Sequence, residues 1–333
     1  MSILYRENNF VLIDHREFIS NIYKGVTDRK DSLKDVNYTI ISKMFSIKNC
    51  KKYNNKRPRK SNEVIKEIPS DVKQSINNQY NLLDTSSVRD LSRTYFESTI
   101  FNHLGINGGN NSNVPLQCEV KGEYFLIPNN SRFFCGCVKE QCQKLAGNKY
   151  DIVIADPPWW NKYIRRLKGA NDKLSYSMMY NEDIASIPVK ELLSNNSLVV
   201  VWCTNAPSNI NAVKDIIFPE WGIEYVTTWF WLKVNIDFEP LCKFGAGYEK
   251  QPYERVIIGK VGEVEDIPSD LLLMSVPSAL HSHKPPLVDL LKPYLNVKEV
   301  KIIELFARYL LPNTTSIGYE PLKWQHISLY EEI

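Results

Sequence analysis

From residue 114 onward the chain alternates short, almost wholly apolar runs with amphipathic helical stretches, and few folds accept that texture. The runs are "VPLQCEV", "EYFLIP", "RFFCGCV", "YDIVIAD", "SLVVVWCTN", "IEYVTTWFWLKV", "ERVIIGKV", "LLLMSV", "VKIIELFAR" and "TTSIGYE". Near-continuous apolar strands are covered on both faces. Helical patterns over 181–193, 206–217 and 285–295 lie between several of them, so the expected sheet is mostly parallel and the class α/β. Pro285 and Pro286 suit the first turn of the last helix. In such sheets ligands bind outside the carboxyl ends of the strands, and Asp156 stands at one such end.

Residues 1–115 read differently. Polar runs alternate with amphipathic pieces, and Val88, Leu91, Tyr95 and Ile100 recur at helical spacing within 70–106, which reads as one or two helices stopped at Gly105. "NGGNNSN" (107–113) is expected to be a loop. The organisation that follows is a smaller, partly helical N-terminal domain over 1–115 and a larger domain over 116–333. The N-terminal segment is also basic: residues 1–60 hold 14 Lys and Arg against 6 Asp and Glu, although the whole chain has a net charge of only +3. Within it, "KNCKKYNNKRPRK" (48–60) carries no acid, the pattern of a polyanion contact or nuclear-import signal on a solvated run.

Other classes are disfavoured. Apolar runs such as 198–203 fall far short of the roughly 18 residues that a membrane span needs. Arg6 and Glu7 precede any stretch suited to a signal peptide. Seven cysteines, an odd number lying mostly in apolar segments, suit a reduced interior. Cys135, Cys137 and Cys142 lack a paired C-x-x-C, and His281 and His283 lack further ligands, so no metal is expected.

The chemistry concentrates in "YDIVIADPPWWNKYIRRLKG" (150–169). Proline has no N–H and a fixed φ, so the turn after Asp156 presents the carbonyls of Pro157 and Pro158 beside a carboxylate, without donors from either proline. Such acceptors suit a partner bringing hydrogens, as an exocyclic amine does, and Trp159 adds a plane for a base to stack on. Gripping both hydrogens of an aromatic amine favours a pyramidal nitrogen with its lone pair restored, which is transition-state stabilisation by preorganised dipoles. The cation-rich stretch after Trp159, with Lys162, Arg165, Arg166 and Lys168, is placed to contact phosphates.

"DPPW" after an apolar strand resembles the signature of the MT-A70 family of adenine-N6 methyltransferases. "LHSHKPP" (280–286), "IIELFAR" (302–308) and "LKWQHIS" (322–328) resemble its methyltransferase-like protein 4 branch in particular. The resemblance implies a Rossmann-like, S-adenosylmethionine-dependent methyltransferase sheet whose catalytic strand precedes its cofactor strand, which accounts for the absence of G-x-G-x-x-G. It implies methylation of N6 on 2′-O-methyladenosine in U2 small nuclear RNA, and hence a nuclear location. Asp156 and the Pro157 carbonyl would hold the amine, with Asp156 also near the cofactor's ammonium group. Trp159 would line the acceptor pocket, and Tyr176 matches the aromatic of a gating loop. Lys284 would meet the methionyl carboxylate or an acid such as Glu304. "IIELFAR" would be the cofactor strand, bringing Phe306 to its end. Arg308 and Glu320 would contact the cofactor's ribose. Cys137 stands where the family has an aspartate beside the cofactor's adenine, a place that backbone atoms of Cys137 and Val138 also suit, and Tyr319 stands where relatives have asparagine.

Trp229 and Trp231 face one side of a strand, so core packing is the default for them; the functional alternative makes Trp231 a wall of the base pocket. Residues 237–254, with Gly245 and Gly247, read as a second loop over the pocket. Three readings stay open: a monomeric nuclear RNA adenine-N6 methyltransferase, a DNA adenine-N6 methyltransferase using the same site, and a catalytically silent RNA-binding subunit.

Overall fold

A computed structural model describes residues 2–28, 35–47, 104–160, 178–245, 251–280 and 283–333. The basic run 48–60, most of the helical reading of 70–106, Lys162, Arg165, Arg166, Lys168, Tyr176, Gly247 and His281 lie outside the described residues.

An eleven-stranded sheet organises the molecule. From one edge to the other it runs Ile3–Glu7, Phe10–Ile13, Leu272–Ser275, Glu224–Lys233, Tyr253–Val261, Leu193–Cys203, Tyr150–Ala155, Ile302–Leu305, Thr314–Gly318, Ser131–Cys135 and Asn107–Asn110. The five strands from Leu193–Cys203 to Ser131–Cys135 are mutually parallel. Tyr150–Ala155 lies between Leu193–Cys203 and Ile302–Leu305, pairing Ala155 with Val201 on one side and Leu305 on the other. From Tyr150–Ala155 the chain moves to one side of the sheet, whereas from Ile302–Leu305 it moves to the other. The crevice between them is thus the switch point at which open α/β sheets bind ligands. Tyr150–Ala155, the strand expected to be catalytic, precedes Ile302–Leu305, the strand expected to bind the cofactor.

The apolar runs are buried on both faces. Val153 and Ile303 pack on one side with Trp221 and Phe218, and Ile152, Ile154 and Ile302 on the other with Trp202, Trp229 and Trp231. The helical stretches are shorter than their patterns. Pro188 separates helix Asn181–Ala185 from a 3-10 turn at Val189–Leu192, and residue 193 already begins a strand. Gly222, with φ of 73°, ends the helical run that starts at Pro207.

Two expectations are corrected. Residues 2–47 do not form a core apart from 116–333. Phe10–Ile13 pairs in parallel with Leu272–Ser275, and helix His15–Ile22 shares one core with Leu126, Leu232, Tyr309 and Trp324. The loop expected over 107–113 contributes an edge strand, Asn107–Asn110, antiparallel to Ser131–Cys135. Its glycines permit the approach, since a Cβ on Gly109 would lie 2.3 Å from the Ser131 carbonyl oxygen. The runs 116–120 and 123–127 leave the main sheet for a four-stranded one with Val26–Asp28 and Asp35–Val36.

Candidate active site

Three neighbouring parallel strands end at one cleft of about 310 Å³. Asp156 and Pro158 follow Tyr150–Ala155, Phe306 to Arg308 follow Ile302–Leu305, and Tyr319 follows Thr314–Gly318. Cys137 and Val138, just beyond Ser131–Cys135, complete the floor. Of the residues expected at the cofactor, Cys137, Val138, Asp156, Phe306, Arg308 and Tyr319 line this cleft together. Phe306 holds a φ of 62° where the cofactor strand ends, a conformation that non-glycine residues avoid and that clusters at functional sites. Gly318 makes room for the turn: a Cβ there would lie 2.7 Å from the Ala307 carbonyl oxygen.

Asp156 is 7% exposed and its two carboxylate oxygens face different cations. Arg308 Nη2 lies 3.4 Å from Oδ2 and Lys284 Nζ lies 3.6 Å from Oδ1. Lys284 also pairs with Glu254 at 2.5 Å, and Glu254 pairs in turn with Lys233. Burial pushes the Glu254 carboxyl up, but Lys284 and Lys233 together outweigh it and hold it at about 2. Burial, partly offset by Glu254, lowers Lys233. Lys284 thus meets acidic neighbours, one of the two alternatives expected for it, in Asp156 and Glu254. Glu304 is buried on Ile302–Leu305 with Oε2 lacking a partner among the described residues, and burial, aided by the Asp156 charge, pushes its carboxyl up to about 8.

The turn carbonyls are partly used. The Trp159 N–H donates to the Pro157 carbonyl at 2.9 Å, and the Met179 N–H to that of Pro158 at 2.9 Å. Among the described residues each oxygen accepts one hydrogen bond, which leaves a lone pair for a ligand. Trp159 corrects a larger expectation. It is 7% exposed, sits in the core with Val201 and Cys203, and donates its indole N–H to the Trp202 carbonyl at 2.9 Å. Its plane is packed against protein rather than offered to a base. Trp231 is fully buried, with its indole N–H on Ser275 Oγ at 2.8 Å and Lys284 Nζ 5.8 Å from its ring, so it supports the ion pairs from beneath and is no open pocket wall. Glu320, expected at the ribose, is buried and pairs with Lys323; like Lys284 it is not among the residues lining the cleft.

Sequence reasoning missed Lys233 and Glu254, and also Met178, Met179 and Asp183, which line the cleft. A signal for Glu254 existed: it continues the two-residue period of Val256 and Ile258, which face the core beside Trp202. Among the described residues there is no group of side chains suited to a metal and no helix long and apolar enough to cross a membrane. Burial pushes the thiols of Cys135 and Cys142 up to about 12, as for inert core cysteines.

Comparison with known proteins agrees with this geometry. The MT-A70 family pattern matches residues 150–320. The human protein named N(6)-adenine-specific methyltransferase METTL4 is 34% identical over 234 residues, covering 66% of this chain and 48% of its own length. A DNA N6-methyl methyltransferase of Caenorhabditis elegans is 37% identical over 62% of this chain and 56% of its own. The N6-methyladenosine RNA methyltransferase MTA1 of Cryphonectria parasitica is 33% identical over 62% of each chain. The chain thus spans about half the length of the METTL4 protein it matches. The cleft's chemistry fits the family's cofactor, with a carboxylate at Asp156 for an ammonium group, a guanidinium at Arg308 for anionic or hydroxyl oxygens, and apolar surface at Val138 and Phe306. The sequence match and the cleft at the catalytic and cofactor strand ends lead to one conclusion: the chain belongs to the MT-A70 family of S-adenosylmethionine-dependent methyltransferases, on its METTL4 branch.

Proposed function

We propose that this protein methylates N6 of adenine in nucleic acid, acting as a nuclear monomer on 2′-O-methyladenosine of U2 small nuclear RNA to give N6,2′-O-dimethyladenosine. The observation that carries the reading is Asp156, a buried carboxylate at the end of the catalytic strand, held from two sides by Lys284 and Arg308 and followed by a turn whose prolines donate no hydrogen bond. When bound, S-adenosylmethionine supplies an electrophilic methyl group. Asp156 and the remaining lone pair of the Pro157 carbonyl accept the two hydrogens of the amine, which localises the nitrogen lone pair for attack. After transfer the nitrogen carries one proton in excess, and an Asp156 oxygen already accepting that hydrogen takes it. Lys284 and Arg308 fix the carboxylate's orientation throughout, so little reorganisation accompanies the reaction.

A second reading, DNA adenine-N6 methylation, is favoured by the name of the Caenorhabditis elegans relative. The pocket chemistry is the same for a flipped adenine in either polymer. The test is transfer of labelled methyl to matched RNA and DNA oligonucleotides, with and without a 2′-O-methyl on the target. Preference for the 2′-O-methylated RNA supports the first reading and preference for DNA the second. No transfer to any of them would leave a silent RNA-binding subunit.

A further inference from the structure

Trp159 turns into the core, and its neighbour Trp160 is only half-buried. The Met179 N–H donates to the Pro158 carbonyl at 2.9 Å and the Trp160 N–H to the Met179 carbonyl at 3.1 Å. This short stem brings Trp160 beside Tyr180, and the two rings stack with centroids 6.0 Å apart and planes 18° from parallel. Tyr180 is 58% exposed, so the pair is not part of the core. It stands on the rim of the cleft: Pro158 and Met179 beneath it line the cavity, as does Asp183, whose Oδ2 accepts the Tyr180 N–H at 3.3 Å. A near-parallel aromatic pair, braced at the mouth of the site by backbone hydrogen bonds, offers a flat outer face matched to a planar ring.

We propose that Trp160 and Tyr180 form a stacking subsite for the nucleobase next to the target adenine in a single-stranded nucleic acid. The inference rests on the adenine-methylation reading for its choice of ligand. It moves the stacking role from Trp159, which is packed away, to the adjacent pair. Every base has a π-face, so the subsite adds affinity without selecting a sequence. It acts on the polymer and not on the cofactor.

The experiment compares the wild-type protein with Trp160→Ala, Tyr180→Ala and Tyr180→Phe. Binding of single-stranded RNA and DNA oligonucleotides containing one adenine is measured by fluorescence anisotropy, beside KM for oligonucleotide and for S-adenosylmethionine. Each alanine variant is expected to weaken oligonucleotide binding by about tenfold and to raise KM for oligonucleotide but not for S-adenosylmethionine. Tyr180→Phe, which keeps the ring, should bind like wild type. Oligonucleotide affinities of the alanine variants within twofold of wild type would overturn the subsite, as would an equal rise in both KM values or a failure of phenylalanine to restore binding. Absence of transfer by the wild type to any acceptor would count against the adenine reading alone, since the binding arm still judges the subsite.

Discussion

Glu254 and Lys284 form a 2.5 Å ion pair beneath the site, and Lys284 extends it to Asp156 at 3.6 Å. With Lys233 on the far side of Glu254 the charges alternate along a chain, so neutralising Glu254 removes the nearest counter-ion of both lysines. Glu254→Gln is expected to cost about 1.5–3 kcal/mol of stability, the usual loss for a hydrogen bond to a charged group, because Glu254 is half-buried and Lys284 keeps Asp156. Adding Lys284→Met should recover part of it, with a coupling of about 0.5–3 kcal/mol in a double-mutant cycle. Urea unfolding of the four proteins checks this; strictly additive costs would contradict the pairing.

Trp159→Ala should act first on the fold. Removing a packed indole and its hydrogen bond to the Trp202 carbonyl should cost about 3–5 kcal/mol, whereas Trp159→Phe should keep most of the packing. Thermal unfolding decides the matter. An alanine variant as stable as wild type but defective in acceptor binding would restore the stacking role to Trp159.

His15 sets a lower pH limit. Its ring is fully buried against Phe45, Tyr309 and Trp324, neither nitrogen has a partner among the described residues, and burial lowers it to about 3. A depressed folded value means the contribution is complete above the unfolded value near 6.5 and is lost as pH falls from there toward 3. His15→Phe should therefore flatten the fall in urea midpoint between pH 7 and pH 5. An unchanged slope would contradict this origin.

Glu304 works in the opposite direction. Its carboxyl is raised to about 8 by burial first and by Asp156 second. Its stabilising neutral form is fully present below about 4.5 and is lost as pH rises through 8. Glu304→Gln should therefore gain stability over wild type on going from pH 6 to pH 9, by an amount on the order of a few kcal/mol. Parallel pH dependence in the two proteins would show that Glu304 does not titrate there.

How much of this was legible in the sequence depended on distance along the chain. Asp156 could be placed because its strand, its prolines and its position at a strand end are all local. Arg308 and Tyr319 followed from strand-end positions once the family resemblance was seen. Glu254 was missed because its importance comes from Lys284, 30 residues away in sequence. The same applies to Phe10–Ile13, whose place in the sheet depends on pairing with Leu272–Ser275 and leaves no local mark. Trp159 was misread because a tryptophan after a turn looks exposed until its indole is seen to reach the Trp202 carbonyl. Asn107–Asn110 looked like a loop because its glycines serve close approach to a neighbouring strand, and that neighbour lies at Ser131–Cys135.

In the proposed mechanism Asp156 is the acceptor that activates the adenine amine. Its direct test is the single-turnover rate of methyl transfer to an adenine-containing oligonucleotide by wild type and by Asp156→Asn, with unfolding curves showing that both are folded. Losing one preorganised acceptor should lower the rate by about a hundredfold to a thousandfold. A folded Asp156→Asn variant that retains more than about a tenth of the wild-type rate, only some 1.4 kcal/mol of lost stabilisation, would contradict the account.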